Sequence, residues 1–446
     1  MPHIGDPTSI RPSIADDGPA PFITKFTNCR IPKGKELVEQ DLWIDSTSGK
    51  ILKDQEAFYE LKLSPDQVID LGGRILAPGL IESQLNGAYG FDFSVPQSSR
   101  AEYEEGLRAA TRALARTGVT SYLPTLVSSL PEVYRKVLPS LGPSGASRRA
   151  EDGAESLGAH VEGPFMTPGR HGCHKEGILQ ASTRGIIDVI ECYGEENIPE
   201  TETSIGHAVA PSPIKMITAA PEVAKMTSNI REIVSRGIIY SIGHSDATYE
   251  QALAAIKEGA TTVTHMFNAM RPFYHRDPGI FGLLGQSEYR RPYYGIIADG
   301  IHLHPTTIKI AWNAHPDGLI LVTDAMKLCG LPDGVYEWTN GERIVKNGAR
   351  LTLEGSDKIA GSSATLIECV NNFRRWAGAT TAEAINAVTA TPARMLGLEG
   401  IKGSLESGAD ADLVVLSDTT DPFSGPTLTV DQVWKFGSKI YDAGKQ

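Results

Sequence analysis

The sequence predicts an α/β protein: a (β/α)8 TIM-like barrel over residues 79–392, joined to a small β-sandwich formed by both termini, residues 22–78 and 393–446. Three observations predict it. Between about Ala77 and Pro392, short apolar runs alternate with helical segments, the pattern of βαβ units and a parallel sheet. Both ends instead carry short β-like runs separated by turn residues. The 45 glycines and 28 prolines among 446 residues supply the many turns that such an alternation needs.

Taken in order, residues 1–21 are rich in Pro, Ser, Gly and Asp with few apolar anchors and read as a disordered arm. Thr24 to Ile31, Asp41 to Ile44 and Val68 to Leu71 are the β-like runs of the first sandwich part. Eight candidate strands follow, ending at Ser83/Gln84, Thr125, Glu162, Ala220, Gly243, His265, Ala298 and Thr323. Glu102 to Thr117, Asn229 to Arg236 and Tyr249 to Glu258 carry apolar residues at helical spacing between them. Eight parallel strands, each followed by a helix, describe a barrel. Gly142 to Glu155 and Asn197 to Pro213 break the rhythm and read as solvent loops. Asp412 to Ser417 and Val430 to Phe436 are the strands of the tail.

A hydrophobic fraction of 41% against 22% charged residues suits a globular chain with a full core and excludes fibrous and disordered classes. The 54 acids exceed the 42 bases by 12, which argues against nucleic acid and against an anionic membrane surface. Five scattered cysteines with no CxxC spacing make neither a disulfide framework nor a cysteine zinc site, so a reducing compartment fits. No apolar run is long enough for a membrane helix, and the start lacks the pattern of a signal peptide. The expected address is cytoplasmic.

Barrel active sites lie at the C-terminal ends of the strands. Glu162, His244, His265, His302 and Asp324 all stand there, each after four or five mostly apolar residues. Imidazole and carboxylate are ligands suited to zinc, and three of them leave a position open for water. Glu162, His244 and His265 are therefore expected to hold one divalent metal ion, with Zn2+ the metal these donors suit, and Asp324 to take a proton from the attacking water and return it. Each residue alone has a blander reading: a structural histidine, a helix N-terminal acid, or, for Asp324, a cap on a following helix. Four such residues on the third, fifth, sixth and eighth strands weaken that reading.

HVEGPF (His160 to Phe165), GHSDAT (Gly243 to Thr248), THMFNAM (Thr264 to Met270), HRDPG (His275 to Gly279), IIADGIHLHP (Ile296 to Pro305), LVTDAM (Leu321 to Met326) and GADADLVVL (Gly408 to Leu416) occur in this order. Together they resemble the N-acetylglucosamine-6-phosphate deacetylases of the amidohydrolase superfamily, from about Phe26 to about Asp442. The resemblance implies the barrel-and-sandwich fold, amino-sugar catabolism and a homodimer. It implies that Glu162, His244 and His265 are the metal ligands and Asp324 the catalytic acid and base. His174, in GCH, would contact the substrate and polarise its acetamide carbonyl. Asn268, Ala269, Arg276 and His302 would bind the sugar phosphate, and Ile359-Ala360-Gly361 would be a loop lining the acetyl end. Arg276 offers a fork of donors suited to phosphate, although a surface pair with Asp277 is the competing reading. His304, His171 and His275 read as structural or loop residues.

Many amidohydrolases carry His-x-His after the first strand and a carboxylated lysine after the fourth. Here the first position reads Gln84-Leu85-Asn86, and the fourth strand ends in Ala219-Ala220-Pro221. Amides are poor zinc ligands, so one tightly held metal is expected, with Gln84 and Asn86 near the site in place of the usual ligands. A different cyclic amide or N-acyl substrate, or a barrel that has become an inactive scaffold, are the alternatives.

Overall fold

The computed structural model describes residues 22–53, 64–198, 212–338, 341–421 and 425–445. The arm expected over residues 1–21 and most of the 197–213 stretch lie outside them. Eight parallel strands form the barrel: β1 (Leu80–Leu85), β2 (Val119–Leu126), β3 (Ala159–Glu162), β4 (Ile214–Ala219), β5 (Ile239–Ile242), β6 (Thr262–Val263), β7 (Tyr293–Ile297) and β8 (Leu319–Val322). They pair in chain order, and every pairing is parallel. β1 and β2 are buried along their whole lengths, their polar residues Glu82, Ser83, Gln84, Thr120, Ser121 and Thr125 included.

The seam between β8 and β1 closes only at its C-terminal end, where Asp324 N donates to Gln84 O at 2.9 Å and Asn86 N to Ala325 O at 2.9 Å. Further down, the buried carboxylate of Glu82 takes the place of a ladder bond, accepting from Thr323 N at 3.2 Å and Gln84 N at 3.0 Å. Burial pushes the Glu82 carboxyl up to about 8. The barrel is thus stitched shut beside the strand ends that carry Gln84 and Asp324.

Around the barrel, helices Arg100–Leu114, Met226–Ser235 and Tyr249–Glu258 cover the predicted amphipathic stretches. The last begins in a capping box formed by Thr248, the final residue of GHSDAT, and Gln251. Among the described residues no helix is long and apolar enough to cross a membrane.

Strands from both ends of the chain share one six-stranded sheet. The tail strand Leu413–Asp421 pairs antiparallel with Ile75–Pro78, and a second sheet of four strands packs beside it. Phe26, Leu71, Leu413, Val415 and Trp434 form the core between them. A third sheet of four antiparallel strands, Gly334–Glu337, Arg343–Asn347, Arg350–Leu353 and Ile359–Ser362, is inserted after β8. It has no counterpart in the sequence reading, and it corrects one expectation: Ile359-Ala360-Gly361 is a strand, not a loop. Its small residues allow close approach, since Gly361 has φ +120° and a Cβ there would lie 2.9 Å from Met326 Cγ.

Residues 142–155, expected as a solvent loop, instead clasp the barrel to the sandwich. Arg148 bonds Asp410 at 2.9 Å and the carbonyls of Ser48 and Gly49 at 3.1 Å, and lies 4.4 Å from the Phe436 ring. Beneath it, Glu155 joins a buried ionic cluster in which Lys402 and Lys435 bind Asp412 at 2.7 and 2.8 Å. The two aspartates of GADADLVVL are therefore structural ions. Deleting one partner of such a cluster leaves buried charge unpaired, so Asp412→Ala is expected to lower unfolding free energy by about 3–5 kcal/mol. Chemical denaturation measures it, and a loss below about 0.5 kcal/mol, typical of surface changes, would show the cluster to be idle.

Candidate active site

Five of the ten non-glycine residues with positive φ among the described residues stand at the strand ends or on the loop after β6: His244 (+51°), His265 (+28°), Phe267 (+77°), Ala269 (+49°) and Asp324 (+48°). Such backbone costs energy and persists only where its surroundings enforce it. Gly243 provides the room ahead of His244, since a Cβ there would meet Thr218 Cγ2 at 2.6 Å and Thr264 Cβ at 2.9 Å. The resulting sharp turns aim the side chains into the barrel mouth.

Glu162, His244 and His265 converge. Glu162 Oε1 lies 3.2 Å from His244 Nε2 and 3.0 Å from His265 Nε2, and the two imidazole nitrogens are 3.0 Å apart. His244 Nδ1 donates to the carbonyl of Arg170 at 2.8 Å, which fixes its proton there and leaves the Nε2 lone pair pointing at the other two ligand atoms. Three donor atoms about 3 Å apart, all buried, are what a cation with bonds near 2 Å requires. The electrostatics agree. Burial opposes charge on Glu162, yet the two imidazoles hold its carboxyl well below the usual range. Burial likewise opposes a charged His265, yet Glu162 raises it. The trio demands positive charge.

The two amides in the His-x-His positions are hydrogen-bond donors to carboxylates. Gln84 Nε2 binds Glu162 Oε1 at 2.9 Å, and Asn86 Nδ2 binds Asp324 Oδ1 at 2.7 Å. Burial, with the charge of Glu162 next, raises the Asp324 carboxyl to about 6. The next helix after Asp324 begins only at Leu366, so the capping reading fails.

His174 is buried and neutral, because burial pushes its imidazole down to about 3. Its Nδ1 accepts from Ser128 N at 3.0 Å, so Nε2 carries the proton, 4.0 Å from Glu162 Oε2. The ring therefore offers an N–H donor beside the ligand trio. His302 Nδ1 binds the wholly buried Asp299 carboxylate at 2.7 Å. Burial works against charge on His302, but Asp299 outweighs it and raises the imidazole above its usual range. Asn268 Nδ2 is buried without a partner, a donor left for something else.

Arg276 lies exposed, with no ion pair or hydrogen bond among the described residues. Its expected rival reading also fails, since Asp277 pairs with Arg271 at 3.1 Å. His304 caps the helix Pro305–Ala314, as its structural reading expects, and His171 Nδ1 meets the His174 carbonyl. Ser128 and Asp299 escaped the sequence reading. Asp299 stood in view within IIADGIH, three residues before His302, whereas Ser128 has no local signal.

A (β/α)8 barrel that presents a cation-demanding trio, a neutral imidazole donor and a raised carboxyl at its strand ends defines a metal-dependent hydrolase. The profile of the amidohydrolase family matches residues 75–440. An N-acetylglucosamine-6-phosphate deacetylase of Danio rerio is 40% identical over 425 residues, covering 94% of this chain and 97% of that protein. One of Mus musculus is 42% identical over 408 residues, covering 89% and 92%. The solved structure of a Mycobacterium smegmatis N-acetyl-D-glucosamine-6-phosphate deacetylase mutant, in complex with N-acetyl-D-glucosamine-6-phosphate, aligns at TM-score 0.72 and 26% identity, covering 95% of this chain and 100% of that one. The chain belongs to the amidohydrolase family, in the same group as these deacetylases.

Proposed function

We propose that this chain hydrolyses the acetamide of N-acetyl-D-glucosamine 6-phosphate to D-glucosamine 6-phosphate and acetate, in amino-sugar catabolism. The observation that carries the reading is the convergence of Glu162, His244 and His265 beside the His174 Nε2–H and the raised carboxyl of Asp324. A divalent ion bound by the trio, with zinc favoured by nitrogen and oxygen donors, supplies Lewis acidity and brings the pKa of the attacking water towards about 7.

His174 donates its Nε2 proton in a hydrogen bond to the acetamide oxygen and stabilises the negative charge that develops there. Asp324, in its carboxylate form, takes the proton of the water that attacks the carbonyl carbon and passes it to the leaving amine. Asn86 holds Asp324 at Oδ1, which leaves Oδ2 for that transfer. His302, held by Asp299, and the unpartnered Asn268 amide bind the phosphate together with Ala269 and Arg276. Ile359, Ala360 and Gly361 line the acetyl end. A homodimer and a cytoplasmic setting belong to the same reading; the five unpaired cysteines support a reducing compartment.

Acetate release from the phosphorylated sugar, measured beside the unphosphorylated one with and without chelator, tests the reading. Turnover of the phosphorylated sugar that chelator abolishes is expected; equal turnover of both sugars would overturn the substrate assignment. Removing one charged hydrogen-bonding group costs about 1.5–3 kcal/mol, so Arg276→Ala is expected to raise KM for the phosphorylated sugar roughly 10- to 100-fold and leave kcat nearly unchanged. An unaltered KM would remove Arg276 from the phosphate site.

A further inference from the structure

We propose that Glu222 is a positioning residue for the metal centre, its carboxylate locking the turn that aims His244. The inference rests on the reading of Glu162, His244 and His265 as metal ligands. Glu222 stands just beyond β4, after Ala220 and Pro221, at the strand end where the sequence offered no ligand. Its side chain turns to the neighbouring loops instead. Oε1 accepts from Asp246 N at 2.6 Å and from the Thr167 hydroxyl, and Oε2 accepts from the Ser245 hydroxyl at 2.7 Å. Ser245 and Asp246 are the two residues after His244, and Thr167 N donates to the His244 carbonyl at 3.0 Å. One carboxylate thus holds the two residues that follow the ligand and, through Thr167, reaches the ligand's own carbonyl.

The grip closes into a ring. Asp246 binds Arg170 through Nε at 2.9 Å and Nη2 at 2.7 Å, and the carbonyl of that same Arg170 receives the His244 Nδ1 proton at 2.8 Å. Glu222, Asp246, Arg170 and His244 therefore constrain one another around both the backbone and the ring of the ligand. Asp246 also reaches Arg271 at 3.3 Å, on the loop that follows β6 and His265. His244 needs such restraint. At φ +51° its backbone is strained for a residue with a Cβ, and release of the turn would let the ring swing away from the other two donors. Partners of this kind outside the ligand shell typically contribute 10- to 100-fold to metal affinity.

The test uses the metal-loaded full chain. Release of metal to a chromophoric chelator is followed for wild type, Glu222→Ala and Glu222→Gln, and Tm is measured for each with and without metal. Glu222→Ala is expected to release metal about 10- to 100-fold faster. Glu222→Gln, which retains one acceptor oxygen, is expected to fall between. In both variants the rise in Tm caused by metal is expected to shrink, while the metal-free Tm stays close to wild type. Unchanged release with an equal drop in Tm in both states would make Glu222 a fold-stabilising residue and overturn the proposal. If Glu222→Ala does not fold, the Glu222→Gln release rate decides alone, with a wild-type rate overturning it. Wild type that takes up no metal would instead fail the ligand assignment itself, an outcome recognisable without either variant.

Discussion

Asp324→Asn is expected to bind the phosphorylated sugar with nearly unchanged KM and to lose turnover by roughly 10²- to 10⁴-fold, the range that a positioned acid–base group contributes. The substitution keeps the shape and an oxygen for the Asn86 donor, and removes only the ability to take up and return a proton. The pH profile carries a second signature. Burial raises the Asp324 carboxyl to about 6, with the charge of Glu162 adding to it, and a bound cation pulls the other way. The working form is the carboxylate, so wild-type kcat falls as pH drops through a limb at or below about 6. That limb is expected to vanish from the residual rate of the variant. Steady-state kinetics across pH check both points; turnover above a tenth of wild type, or an acid limb shared by both proteins, would take Asp324 out of the proton path.

Glu162→Gln is expected to strip the metal and with it the activity. Glu162 Oε1 is the atom shared by both imidazoles and by the Gln84 amide, so the substitution removes the negative charge around which the trio is organised. Loss of Lewis-acid and water activation removes several kcal/mol of transition-state stabilisation, on the order of 10³-fold or more in kcat. Elemental analysis is expected to return one metal ion per wild-type chain and almost none in the variant. The single ion is expected because amides, which stand here in the His-x-His positions, are poor zinc ligands compared with imidazole. Two tightly bound ions in wild type would contradict that account, and a fully loaded variant would show Glu162 to be dispensable.

These expectations rest on residues that the sequence made visible to very different degrees. Glu162, His244, His265 and Asp324 were legible because each ends a short apolar run in a chain that repeats strand and helix. Once the repeat is recognised, its geometry delivers every strand end to the same mouth. His174 and Arg276 lie on loops, where no periodicity operates, and only the family motifs drew attention to them. For Gln84 and Asn86 the residue types were informative and their partners were not. Their hydrogen bonds to Glu162 and Asp324 span 78 and 238 positions.

Two segments were misread, one from local pattern and one from the resemblance. Residues 142–155 are rich in small and polar residues, which suits a solvent loop, but Arg148 and Glu155 find their partners in the sandwich. Ile359 to Ser362 are short and partly glycine, and become a strand only because Arg350–Leu353 lies alongside. A strand at the edge of a sheet depends on its neighbour more than on its own residues.

The sequence by itself determined the barrel, the joining of both termini in one sheet, and the chemical character of the strand ends. Those properties follow from apolar periodicity and residue type, which act over a few positions of the chain. Only the tertiary structure decided which nitrogen of His174 keeps its proton, that Asp299 holds His302, that Glu82 closes the barrel seam, and that Glu222 grips the turn at His244. Each of these is set by a hydrogen bond between loops or strands brought together by closure of the barrel. A buried polar group takes its partner from what lies within about 3 Å in space, however distant that partner is along the chain.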